Sequence, residues 1–160
     1  MGHPHAGAQF APLNYSFLYG IQVSKATAAL PATTDGSLFT ITGAPIILTY
    51  LRGEVTTVVQ TQANDTKLKF NPTATGADQD ICGALDITAD PVGEIYSITG
   101  TVGDAMVSDL LIGTPILATP LYLSEGAIEL DCAATNTGSV KWTIGYVPAE
   151  AGTLPVVAAA

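Results

Sequence analysis

The feature that most constrains this chain is strict alternation. Val140, Trp142, Ile144 and Tyr146 share one face of a run whose other face carries Lys141, Thr143 and Gly145. A period of two fits an extended strand with one side against a core, because successive side chains on a strand point to opposite faces. Lys67-Leu68-Lys69-Phe70 and Ile128-Glu129-Leu130-Asp131-Cys132 alternate in the same way, showing charge to water and apolar groups to the interior. Composition agrees: Thr, Ile and Val account for 44 of 160 residues. Branching at Cβ stiffens these residues in helices and suits them to a pleated surface.

Less strict strand candidates are 15–23, 38–42, 45–51, 54–62, 81–87, 94–99 and 120–123. Turn signals separate them, among them Asp35-Gly36, Gly43-Ala44-Pro45, Asn64-Asp65, Asp90-Pro91-Val92-Gly93, Glu125-Gly126 and Asn136-Thr137-Gly138. Gly and Asn tolerate positive φ and Pro presets its own, so these clusters reverse the chain. About ten short strands with frequent turns predict an all-β fold, a single β-sandwich or jelly-roll-like domain with extended N- and C-terminal segments. Residues 103–112, with Met106, Leu110 and Leu111 near helical spacing, are the one helix candidate. A chain of 160 residues suits one domain with a sizeable core.

Both ends differ from the middle. The expected organisation is an N-terminal arm at 1–24, an Ala/Thr/Pro-rich linker at 25–34, the sandwich at 35–147 and an extended tail at 148–160. On the arm, Tyr15, Phe17 and Tyr19 fall on one face at period two, which makes them either core or a contact surface for a partner. The tail carries one charge, Glu150, and runs out through Val156-Val157, so those two residues join the candidate interface. Trp142, on the apolar face of its strand, is expected in the core.

A formal net charge of -9, from 5 Lys+Arg against 14 Asp+Glu, opposes approach to nucleic-acid phosphates. That binding depends on Lys and Arg displacing counterions. No uninterrupted apolar stretch of membrane-spanning length is present, and Met1-Gly2-His3-Pro4-His5 lacks both the basic and the apolar regions of a signal peptide. Ala6 stands where a myristoylation signal wants Ser or Thr. The expectation is a soluble chain made in the cytoplasm, with Cys82 and Cys132 as free thiols, Cys132 buried beside Ile128 and Leu130.

Catalytic motifs are missing. Both histidines, His3 and His5, lie outside the segments that read as folded, which removes the usual general base. There is no G-x-S-x-G elbow, phosphate loop or dinucleotide fingerprint. Asp78, Asp80, Asp86 and Asp90 concentrate oxygen ligands that could take Ca²⁺, yet without the spacing of a calcium loop they read as a solvated acidic face. Glu54, Glu94, Glu125 and Glu129 could supply a glycosidase pair, but sequence sets no distance between them. The expectation is therefore no enzyme, no cofactor and no metal.

The segments 33–43 (Thr-Thr-Asp-Gly-Ser-Leu-Phe-Thr-Ile-Thr-Gly), 95–100 (Ile-Tyr-Ser-Ile-Thr-Gly) and 136–144 (Asn-Thr-Gly-Ser-Val-Lys-Trp-Thr-Ile) resemble small β-rich virion structural proteins of tailed bacteriophages. The resemblance covers roughly residues 33 to 147. It implies a capsid decoration or cement protein, made in the host cytoplasm, that binds the outside of the head as a homo-oligomer, commonly a trimer. Its partner would be the major capsid protein, whose subunit junctions it clamps. A tail or fibre-base protein would show the same composition, and a carbohydrate-binding β-sandwich is the further alternative.

Overall fold

The computed structural model describes residues 19–32, 35–113, 116–150 and 154–160. From Ile21 onward every element among them is a strand. In chain order these are β1 (Ile21–Ala29), β2 (Gly36–Ile41), β3 (Ile46–Thr57), β4 (Asp65–Pro72), β5 (Gln79–Asp80), β6 (Leu85–Asp86), β7 (Glu94–Ser97), β8 (Val107–Leu110), β9 (Ile116–Leu123), β10 (Gly126–Cys132), β11 (Ser139–Pro148) and β12 (Val156–Ala158). They form two antiparallel sheets packed as a β-sandwich. The first runs β1-β11-β3-β7-β8, with β9 also on β3, and the second runs β12-β2-β10-β4-β5, with β6 also on β4.

The alternating runs build the core. Val140, Trp142, Ile144 and Tyr146 of β11 are all buried, as are Leu68 and Phe70 of β4, Ile128, Leu130 and Cys132 of β10, and Phe39 and Ile41 of β2. Trp142 stacks on Tyr96, with ring centroids 6.2 Å apart and planes at 30°. Its cross-strand partner is Gly53. A Cβ at that position would lie 2.7 Å from Cζ3 of the indole, so the ring occupies the volume a larger residue would need.

Four expectations are corrected. The arm's last residues and the first part of the linker form β1, which pairs with β11 from Ile21↔Tyr146 to Ala29↔Ser139. Alternation there is confined to Ile21-Gln22-Val23-Ser24, the end of the 15–23 strand candidate, and the small residues after it suit an edge position that tolerates the bulge between Lys25 and Ala28. Strands expected at 45–51 and 54–62 are one continuous β3, because Arg52 and Gly53 pair with Thr143 and Trp142 on one side and with Ser97 and Tyr96 on the other. The helix candidate at 103–112 contains β8 instead, held to β7 from Ser97↔Val107 to Glu94↔Leu110. A single turn of helical spacing cannot outweigh an available strand edge.

The fourth correction concerns the C-terminal tail, which docks on its own sandwich. Val156, Val157 and Ala158 pair with Ile41, Thr40 and Phe39, so β12 covers part of the β2 edge. The buried ammonium of Lys25 on β1 donates to the carbonyl oxygens of Ala159 at 2.6 Å and Ala160 at 3.1 Å, tying the two sheets along this side. On the opposite side, Gly83 and Ala105 form an isolated parallel bridge between the loops that flank the core.

Candidate functional site

The expected interface residues separate. Tyr15 and Phe17 lie outside the described residues, as do His3 and His5. Tyr19 packs within its own chain, its ring edge-on to Tyr50 at 6.4 Å and its carbonyl accepting a 2.8 Å hydrogen bond from the Thr49 hydroxyl. Val156 points into the core of its own sandwich while Val157 is exposed. Alternation on β12 makes that division, so of the two valines only Val157 offers its side chain to a partner.

A more prominent apolar surface sits where β8 ends. Leu110, Leu111 and Ile112 are 53%, 76% and 74% exposed in succession. The Leu111 amide donates to the Gly93 carbonyl at 3.0 Å, which brings the exposed Val92 of the neighbouring loop alongside. Leu111 also holds a left-handed backbone, φ 61°. For a residue with a Cβ that conformation costs about 1–2 kcal/mol. This tip therefore combines exposed apolar area with local strain. Its sequence signal is three consecutive large apolar residues, of which Leu110 and Leu111 also share helical spacing with Met106.

The outer face of the second sheet is ionic. The Lys69 ammonium lies 2.9 Å from Asp35, 3.4 Å from Asp78 and 3.8 Å from Asp131, while Lys67 pairs with Asp80 at 2.8 Å. The hydrogen bond to Asp35, with Asp78 and Asp131 adding to it, holds the Lys69 ammonium well above its ordinary lysine range. Carboxylate oxygens of Asp35, Asp78 and Glu129 come within 4.8 Å of one another. Lys69 already supplies a positive charge to this group.

The acidic run of the sequence does not converge. Asp78 and Asp80 face the lysines, whereas Asp86 anchors a turn through the Asn64 amide and both the amide and hydroxyl of Thr88. Those hydrogen bonds, the Thr88 hydroxyl foremost, pull the Asp86 carboxyl below its usual range. Asp90 accepts a 2.7 Å hydrogen bond from the Tyr96 hydroxyl, and burial pushes its carboxyl up. Burial, reinforced by Asp90, likewise holds the Tyr96 phenol well above its ordinary range. Among the other carboxylates, Glu54 and Glu94 belong to the first sheet and Glu129 to the second. Glu94 accepts from the Ser108 hydroxyl, and Glu129 accepts from the Ser37 hydroxyl at 3.2 Å.

Both cysteines are free and buried. Burial pushes the Cys82 thiol up to about 11 and raises Cys132 as well. The thiolate is the reactive form, so neither should react with an aromatic disulfide reagent at pH 8 until the protein is unfolded in urea, when both react. Stoichiometric reaction of the native protein within minutes would contradict this burial.

The described surface is that of a two-sheet β-sandwich with an ionic outer face on one sheet and exposed apolar residues gathered at the edge of the other. Comparison with protein-family models, curated proteins and solved structures finds no match for the chain.

Proposed function

We propose that this is a structural protein that works by adhesion rather than catalysis, a capsid decoration protein. It binds the outside of a phage head as a trimer and stabilises contacts between major capsid proteins. The observation that carries the reading is the tip at Leu110, Leu111 and Ile112, large apolar side chains left in water on a strained backbone. Such a surface gains free energy only when a partner covers it. The resemblance of residues 33–43, 95–100 and 136–144 to phage virion proteins names the class of partner. The charge of -9 suits a protein that must stay clear of packaged DNA while remaining soluble.

Immunogold labelling of intact particles, with antibody against the purified protein, tests the assignment. Regular label across heads is the expected result. Label confined to tails would assign the protein to the tail or fibre base, and particles without label would turn attention to glycan arrays and a carbohydrate-binding role.

A further inference from the structure

Three of the five lysine and arginine side chains are committed within the fold. Lys25 donates to the backbone carbonyls of Ala159 and Ala160, and Lys67 and Lys69 pair with aspartates of the second sheet. The other two, Arg52 of β3 and Lys141 of β11, lie on the outer face of the first sheet, Arg52 opposite Thr143 and Lys141 opposite Glu54 in the next row of that face. The one carboxylate within 4.0 Å of Arg52 is Glu54, 3.8 Å away and too far for a hydrogen bond. All 14 Asp and Glu are among the described residues, and none forms an ion pair with Lys141. The Nε of Arg52 is buried and has no hydrogen-bond acceptor.

Both cations border a cavity of about 260 Å³ on this face. Its rows run across three strands, Ser24–Thr143–Arg52 in one and Gln22–Gly145–Tyr50 in the next. Gly145 adds no side chain to the second row, which lets the Tyr19 carbonyl lie over it and the Tyr19 ring meet Tyr50 edge-on at that end of the cavity. In the first row the hydroxyls of Ser24 and Thr143 lie 2.9 Å apart and share one hydrogen bond. Whichever of them accepts keeps its own proton to donate. The cavity therefore presents a guanidinium, an ammonium, a hydroxyl proton and the Gln22 amide.

We propose that this cavity binds a single carboxylate group between Arg52 and Lys141. The planar guanidinium matches the two oxygens of a carboxylate, and the lysine adds a second charge from the neighbouring row. Arg52 and Lys141 against Glu54 leave one positive charge, which one carboxylate neutralises. A phosphate dianion or a polyanion would meet both Glu54 and the overall charge of -9. The volume suits a small acid or one acidic side chain rather than a larger ligand. A free small carboxylic acid and an Asp or Glu of a partner protein offer the same chemistry. The inference is independent of the capsid assignment.

Arg52 is the sole arginine, so the full-length protein labelled with nitrogen-15 gives a single arginine Nε–H signal. In a carboxylate-free buffer at neutral pH, sodium acetate and, separately, glutamate blocked as N-acetyl α-amide are each expected to move that signal along a saturating curve with a midpoint on the order of 10 mM. Sodium chloride at equal ionic strength should leave it nearly in place. Tighter binding of acetate would identify a free acid as the ligand, and tighter binding of the blocked glutamate an acidic side chain of a partner. Lys141→Gln, at an exposed position, should weaken binding about three- to tenfold, and Arg52→Gln, followed at the Ser24 and Thr143 amides, about tenfold or more. Backbone signals of the core, unchanged in both variants, establish that they fold. A shift that chloride reproduces, one that never saturates, or one that both variants leave intact would show ionic screening without a site and overturn the inference.

Discussion

Replacing Trp142 with alanine is expected to lower the stability of the protein by about 3–5 kcal/mol, the range for deleting a large buried aromatic. For a domain of this size the thermal midpoint should fall by roughly 6–20 °C. The indole is 2% exposed, stacks on Tyr96, and fills the space above Gly53 between β3 and β11. Neither neighbour can collapse into the vacated volume. Gly53 has no side chain to swing in, and the Tyr96 hydroxyl is held by Asp90. Calorimetric or far-ultraviolet melting curves measure the loss. Trp142 is the sole tryptophan, so wild-type emission should shift to the red at the same midpoint. A cost below about 1 kcal/mol would mean that the ring does not hold the two strands together.

The second large effect belongs to the tip at Leu110, Leu111 and Ile112, proposed above as the capsid contact. Changing Leu111 to glycine together with Ile112 to serine is expected to weaken attachment to capsids on the order of 10²–10⁴-fold. Burying a large aliphatic side chain contributes about 1.5–3 kcal/mol, and each factor of ten corresponds to about 1.4 kcal/mol. Stability should move the other way or not at all. Glycine adopts the left-handed backbone of position 111 without strain, so the variant removes exposed apolar surface and local cost together. Co-sedimentation with particles stripped of the protein, over graded concentrations, gives the affinity, and a melting curve on the same samples gives the stability. Unchanged attachment would remove the tip from the capsid interface. Weaker attachment with an equally lowered melting point would show that the residues serve folding.

The opposed signs matter because most surface changes that impair binding through misfolding lower both quantities. On the proposed reading, the strain and exposure of Leu111 are a local cost in stability that contact with the capsid offsets. Gly93 shows how the tip is supported: its amide donates to Val55 of β3, its carbonyl accepts from Leu111, and the Leu111 side chain lies where a Cβ on Gly93 would be. The tip is thus mounted on the central strand of the first sheet.

Several elements were legible in the sequence and others were not, for reasons that differ case by case. Runs 65–72, 126–132 and 139–148 alternate because one face of each meets the core, and their residues carry that record locally. Residues 21–29 carry it only at Ile21 and Val23, the end of the 15–23 candidate, since the small residues beyond them are held in an edge strand by the hydrogen bonds β11 offers. Gly53 reads as a strand breaker until Trp142 is placed over it. Leu110 and Leu111 share helical spacing with Met106, but Met106 belongs to the core while the other two belong to the surface. Spacing cannot express that distinction.

Strand type, the all-β class, the burial of Trp142 and the acidic character of the chain follow from its residues alone. Periodicity and composition are local properties, and a period of two admits one backbone conformation. Tertiary packing settles which strands are neighbours, that the C-terminal segment pairs with its own sandwich, that Asp78 and Asp80 meet lysines while Asp86 and Asp90 hold a turn and a tyrosine, and that exposed apolar residues gather at the β8 tip. Those outcomes depend on contacts between residues far apart in the chain, where many pairings would satisfy the same alternation and the packing of the whole core selects one.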